Sequence, residues 1–155
     1  MLTRHIWRGF PVALIVLAAT IVSWAAEPAK DNGLKWSSDL NTAWQVASEQ
    51  QRPLLVFITM DGCAYCQKMK QTTLRDKAVQ GDLKSGFVPV ALNVKDEPEF
   101  IKLLRIHTFP TMVIIQPNGD VLESISGYQT PKQLRDKLSS TTRQASHEKN
   151  SRKVR

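Results

Sequence analysis

The chain has 155 residues, of which 42% are hydrophobic and 23% charged, and a formal net charge of +7. Its length suits one domain after removal of a processed segment, and its ordinary apolar content excludes wholesale disorder and fibrous architectures. Two cysteines are too few for a disulfide-stapled mini-protein, or by themselves for a four-ligand zinc site. The positive charge would suit nucleic acid if it were spread over the domain, but residues 26–142 hold 14 Lys and Arg against 13 Asp and Glu. The excess lies towards the ends of the sequence, and no nucleic-acid partner is expected.

Arg4, His5 and Arg8 precede an uncharged stretch from Phe10 to Trp24 that closes on Ser23-Trp24-Ala25-Ala26. A basic start, an apolar middle and a small-residue finish make residues 1–25 a signal peptide, with cleavage favoured after Ala25 because Ser23 and Ala25 then fill the small positions. An uncleaved N-terminal anchor is the alternative, since Phe10 to Ala26 is slightly short of the roughly 20 apolar residues that span a bilayer. Either way the rest is expected to work in the periplasm or another extracytoplasmic space, where disulfides persist. Residues 26–35, polar and carrying Pro28, Asn32 and Gly33, read as a linker.

Ser38 or Asp39 caps a helix through Gln50 whose apolar face is Leu40, Ala43, Trp44 and Ala47. Pro53 opens Leu54-Leu55-Val56-Phe57-Ile58, an unbroken apolar run expected as a central strand buried on both faces. Asp61-Gly62 turns into Cys63-Ala64-Tyr65-Cys66-Gln67-Lys68-Met69-Lys70, a helix expected to continue to about Val79, with Met69 packed beneath it. A second strand covers Phe87 to Val94, and Asp96-Glu97-Pro98 opens a short helix bearing Phe100, Ile101, Leu103 and Leu104. Thr111 to Ile115 and Val121 to Ser126 form an antiparallel pair about the turn Pro117-Asn118-Gly119-Asp120. Thr130 caps a last helix that starts at Pro131 and buries Leu134 and Leu138. This order describes an α/β fold, a central mixed sheet flanked by helices on both faces, over residues 36–140. Residues 141–155, in which basic side chains outnumber the single Glu148, are expected as a frayed, basic tail.

Three readings compete for Cys63 and Cys66. A purely structural disulfide closing a loop of about four residues would contribute only about 2 kcal/mol, against about 3 for fifteen residues. A metal site lacks further ligands, His107 being distant in sequence and isolated, although two soft thiolates suit copper(I) and a carrier role stays open. The favoured reading is redox-active. Positions i and i+3 share a helix face, so the sulfurs can close a disulfide, and Cys63 at the helix start faces unpaired N–H groups that stabilise its thiolate. Cys63 then acts as nucleophile and Cys66 as resolving thiol, with no bound cofactor.

The segments Phe57 to Met69, Phe87 to Val94, Ile106 to Thr111 and Asn118-Gly119 together resemble the ordered signatures of the thioredoxin superfamily, from about Trp36 to Ser140. The resemblance is to exported members with a Cys-x-Tyr-Cys site, near the thioredoxin-like domain of bacterial disulfide-interchange reductases. It implies a thioredoxin fold, with Pro110 as a cis-proline lying against the cysteine pair and Phe109 offering backbone groups to an extended client segment. It also implies protein disulfide or dithiol clients, a membrane or soluble dithiol as electron donor, and a monomer. His107 is expected as a surface residue, Trp44 as core, and Trp36 with Trp44 as the other candidate client groove. The buried Asp and nearby Lys usual in cytoplasmic thioredoxins are replaced by Phe57 and Ala91, and their Trp before the first Cys by Gly62. No His or Pro stands between the cysteines to hold the thiolate, and Asp61 opposes it, so the reading leans towards a disulfide reductant rather than an oxidant. A non-catalytic adaptor remains the other alternative.

Overall fold

The computed structural model describes residues 34–153, with side chains as far as Ser146. The expected signal peptide and most of the linker lie outside the described residues. The elements in order are α1 (Leu40–Gln50), β1 (Leu54–Thr59), α2 (Ala64–Gln71), a 3-10 turn (Thr73–Arg75), α3 (Lys77–Gly86), β2 (Val88–Asn93), α4 (Pro98–Leu103), β3 (Thr111–Ile115), β4 (Val121–Ser126) and α5 (Pro131–Lys153). They build a mixed sheet in the order β2-β1-β3-β4, in which β1 pairs parallel with β2 and antiparallel with β3. Ser37 adds a parallel bridge to Val90 at the β2 edge.

The central strand forms where the apolar run dictates, and every residue of β1 is buried. Each fully buried aliphatic side chain contributes roughly 1.5–3 kcal/mol, and the strand's one hydroxyl, on Thr59, donates to Leu92 O at 3.2 Å. Alternation sorts β1 into two cores. Leu54, Val56 and Ile58 pack with Leu40, Ala43 and Ala47 of α1 and Ile101 of α4. Leu55 and Phe57 pack with Met69 of α2, Val79 and Leu83 of α3, and Leu134 and Leu138 of α5. Asp39 caps α1 by accepting from Thr42 N at 2.6 Å, and Gln51 ends it in the left-handed region at φ 51°.

Two expectations are corrected. The helix that starts beside Cys63 stops at Gln71, well short of Val79. The Thr72 hydroxyl donates back to Lys68 O at 2.7 Å, the Thr73 hydroxyl turns to Gln129 O at 2.6 Å, and Asp76 starts a new helix by accepting from Ala78 N and Val79 N, each at 3.0 Å. Side-chain hydroxyls that compete for backbone partners break one helix, and a carboxylate cap nucleates the next. The second correction is at the far end, where α5 runs on to Lys153 instead of fraying at 141. Thr141 is buried, and its hydroxyl reaches both the Glu123 carboxylate on β4 and Lys137 O one turn back.

Candidate active site

The C-terminal end of β1 delivers the cysteines. Gly62 has φ +69°, a left-handed conformation that glycine adopts without the Cβ penalty of other residues, and it lets the chain turn from the strand into α2. Cys63 is the N-cap of α2, and its Sγ accepts from Cys66 N at 3.1 Å while its carbonyl accepts from Gln67 N at 3.1 Å. The two cysteines are joined by a disulfide with Cα atoms 5.2 Å apart. Cys63 is half-buried, whereas Cys66 is 1% exposed. One sulfur is therefore approachable at the positive end of a helix, and the other is shielded one turn behind it.

Pro110 immediately precedes β3, whose Thr111 pairs with Ile58, so it stands at the same end of the sheet as the cysteines. The Phe109-Pro110 peptide bond is cis. Pro110 O accepts from Gly127 N at 2.7 Å, and the Thr111 hydroxyl donates to Thr108 O at 2.6 Å, which fixes this loop from both sides. Phe109 is half-buried against the α1-side core, and its backbone lies beyond the last pair of the β1–β3 ladder. His107 is exposed in the same loop.

Behind the pair, Phe57 and Ala91 are register partners across β1 and β2. Phe57 is 1% exposed and tilts against Trp36 at a ring distance of 6.0 Å, and a cavity of about 370 Å³ is lined by Trp36, Phe57, Leu74 and Ala91 together with the polar side chains of Lys70, Arg75 and Gln80. This register pair supplies neither a carboxylate nor an amine for moving a proton. Trp36 belongs with the α2-side core and Trp44 with the α1-side core, so the two tryptophans lie on opposite faces of the sheet and form no common groove.

The structure brings together residues that no local pattern connects. Tyr65 is 61% exposed and lies 6.4 Å from the ring of Tyr128 in the loop after β4. Lys68 Nζ stands 4.7 Å over the Tyr128 ring, and the Tyr128 and Thr72 hydroxyls lie 3.3 Å apart. On the other side of Cys63, Asp61 accepts from Lys95 Nζ at 2.6 Å and from Asn93 Nδ2 at 2.7 Å. No residue spacing signals these contacts, because each joins segments far apart in sequence. Among the described residues no three His, Cys, Asp or Glu side chains converge on a common point that could hold a metal ion.

Residues 40–142 match the family model described as a thioredoxin-like domain. Among curated proteins none matches the chain. Several solved structures share the fold. A thioredoxin from Thermus thermophilus is 23% identical, with a TM-score of 0.64 over 70% of this chain and 86% of its own. The DsbH oxidoreductase is 19% identical, with a TM-score of 0.64 over 76% and 90%. The DsbD C-terminal domain of Neisseria meningitidis, in its reduced form, is 18% identical, with a TM-score of 0.57 over 67% and 97%. The match over residues 40–142 takes in the mixed sheet and the Cys63-Ala64-Tyr65-Cys66 site, and the chain belongs to the thioredoxin-like family.

Proposed function

We propose that the protein is an extracytoplasmic thiol-disulfide oxidoreductase that reduces protein disulfides. The observation that carries this reading is the asymmetry of the pair: a partly exposed Cys63 at the N-cap of α2, disulfide-bonded to a buried Cys66. In the dithiol form, the Cys63 thiolate attacks one sulfur of a client disulfide. The client S–S bond breaks, its second sulfur leaves as a thiolate that takes up a proton, and a mixed disulfide forms at Cys63. Cys66 then loses its proton and attacks Cys63 Sγ, releasing the client's first sulfur as a thiol. Two electrons have passed to the client, and the Cys63–Cys66 disulfide remains. A dithiol donor, soluble or in the membrane, returns the pair to the reduced state. Phe109 and Pro110 offer the edge on which an extended client segment pairs, and Tyr65 with Tyr128 offers an aromatic contact for the client side chain beside its cysteine.

The reductive direction is supported by what surrounds Cys63. A strongly oxidising pair is one whose reduced form is stabilised. Here Ala64 and Tyr65, the two residues between the cysteines, contribute no cation that would hold the Cys63 thiolate. The basic, apolar and small-residue pattern of residues 1–26 supports export. Reduction of insulin disulfides by the dithiol protein tests the activity: turnover is expected with the wild type and background rates with Cys63→Ser and Cys66→Ser. Wild-type activity no higher than either variant would overturn the reading. The reduction potential decides direction, near about −270 mV for a reductant and about −120 mV for an oxidant.

A further inference from the structure

Asp61 stands two residues before Cys63, so their Cα atoms lie within about 7 Å of each other. A carboxylate at that place opposes ionisation of the thiol. It is nevertheless built into the fold. Its two oxygens are bound by Asn93, the last residue of β2, and by Lys95 in the turn that follows, and that turn is organised on its own account: Asp96 Oδ2 accepts from Asn93 N at 2.7 Å and Asn93 Oδ1 accepts from Lys95 N at 3.1 Å. Asp61 thus ties the loop that carries Cys63 to the end of a neighbouring strand. The hydrogen bond from Lys95, then that from Asn93, hold the Asp61 carboxyl below its ordinary range, and Asp61 in turn raises the Lys95 ammonium, so both are charged near neutral pH.

We propose that Lys95 is a positioning residue for thiol-disulfide exchange, which holds Asp61 as the link between the Cys63 loop and the turn after β2 while neutralising the charge that would suppress the Cys63 thiolate. The inference rests on the redox reading of the pair. A lone unit charge at about 7 Å in water alters the ionisation of a neighbouring thiol by at most about 0.4 pH unit, and because both side chains of the pair are solvent-exposed, a Debye length of about 8 Å at physiological salt screens more than half of that. A carboxylate in contact with an ammonium presents a dipole instead, whose field falls off faster. The other ionisable groups at this end of the sheet are engaged elsewhere or lie apart from the link. Lys68 on α2 sits over Tyr128, Lys70 on α2 faces the Phe57 ring at 6.0 Å, Asp96 accepts from Asn93 N, and Tyr65 and His107 are exposed.

The test is the pH dependence of Cys63 alkylation by iodoacetamide, an uncharged probe, in the reduced full-length protein, with the modified residue located by mass spectrometry. At low ionic strength, about 0.01 M, where the Debye length is about 30 Å, Lys95→Gln is expected to move the midpoint up by as much as about 0.4 pH unit, a loss of reactivity below it of roughly 2.5-fold at most. Asp61→Asn is expected to move it down, the double variant to restore it, and Lys95→Arg to leave it in place. In 1 M salt, where the Debye length is about 3 Å, the displacements should collapse. A merely structural role would give Lys95→Gln and Asp61→Asn the same sign. Displacements of the same sign, or a Lys95→Gln midpoint that stays in place, would overturn the proposal. Insulin reduction by the wild type, run alongside, separates the two readings: an active wild type with an unmoved midpoint defeats this inference alone, and an inactive wild type defeats the proposed function and this inference with it.

Discussion

The α1 face of the sheet and the α2 face are built from the same strand and bury similar side chains, but they are put to different uses. On the α1 face, Leu54, Val56 and Ile58 meet α1 and α4 in an apolar layer that holds the fold. On the α2 face, Leu55 and Phe57 meet three helices, and here also lie Trp36, the cavity beside Ala91, and the helix whose first turn carries the disulfide. The contrast teaches that stability and chemistry are spread unequally over one sheet. A substitution on the first face should unfold the protein without changing its chemistry. A substitution in the first turn of α2 should do the reverse.

The largest effect is expected from Leu54→Ala. Leu54 is fully buried at the end of β1 remote from the cysteines, and truncating such a leucine costs about 2–5 kcal/mol. Urea unfolding should show that loss, while the rate of disulfide exchange per folded molecule stays at the wild-type value. A fallen rate per folded molecule would mean that the α1 face does more than hold the fold. Cys66→Ser is the converse experiment. Losing a four-residue loop closure costs about 2 kcal/mol in the oxidised protein, yet exchange should drop to background and a mixed disulfide with the client should accumulate at Cys63. Mass spectrometry of the trapped species checks this, and its absence would deny Cys66 the resolving role.

The same contrast governs what could be read from the sequence. The α1 face was legible throughout, because the spacing of Leu40, Ala43 and Ala47 and the run from Leu54 to Ile58 are local patterns with one physical solution each. The hairpin was legible for the same reason: Gly119 takes φ +96°, and Asn118 Nδ2 donates to Asp120 Oδ2 at 2.8 Å across the turn. On the α2 face, the cysteine pair and Pro110 were legible as a motif. The break at Thr72-Thr73 was not, since Thr73 leaves the helix for a carbonyl at Gln129, a partner no local pattern names. Tyr128 and Lys95 escaped because tertiary contacts alone bring them to the site. Phe57 and Ala91 stood out together as the positions that match the family's buried Asp and nearby Lys, and the parallel register of β1 and β2 makes them neighbours.

A smaller effect separates recognition from chemistry on the α2 face. Tyr128→Ala removes the ring that faces Tyr65 and lies under Lys68, without touching either sulfur. Exchange with a protein disulfide should weaken roughly two- to tenfold through KM, the range that an aromatic contact supports, while exchange with a small disulfide is unchanged. An equal fall for both substrates would place Tyr128 in the chemistry instead of in client recognition.

The smallest effect tests where the α2 face ends. Polarity from residue 141 onward suggests that packing stops at Ser140, yet Thr141 is 1% exposed and its hydroxyl faces the Glu123 carboxylate, which also lies 3.4 Å from Lys137 Nζ. A buried hydroxyl beside a half-buried carboxylate satisfies an acceptor that would otherwise rely on one long contact to a lysine. Thr141→Val keeps the side chain's shape and removes that donor, so a loss of about 1 kcal/mol is expected, with the reduction potential of the cysteine pair unmoved. Truncation after Ser140 should cost at least as much, because it removes the same hydroxyl together with Ala145 and Ser146, which line a cleft against Pro53 and Phe87. If both proteins melt at the wild-type temperature, α5 beyond Ser140 contributes nothing to the core, and the boundary drawn from composition is the better one. If truncation is costly and Thr141→Val is not, apolar contact along the helix holds it to the domain, and the hydroxyl merely avoids being buried unpaired.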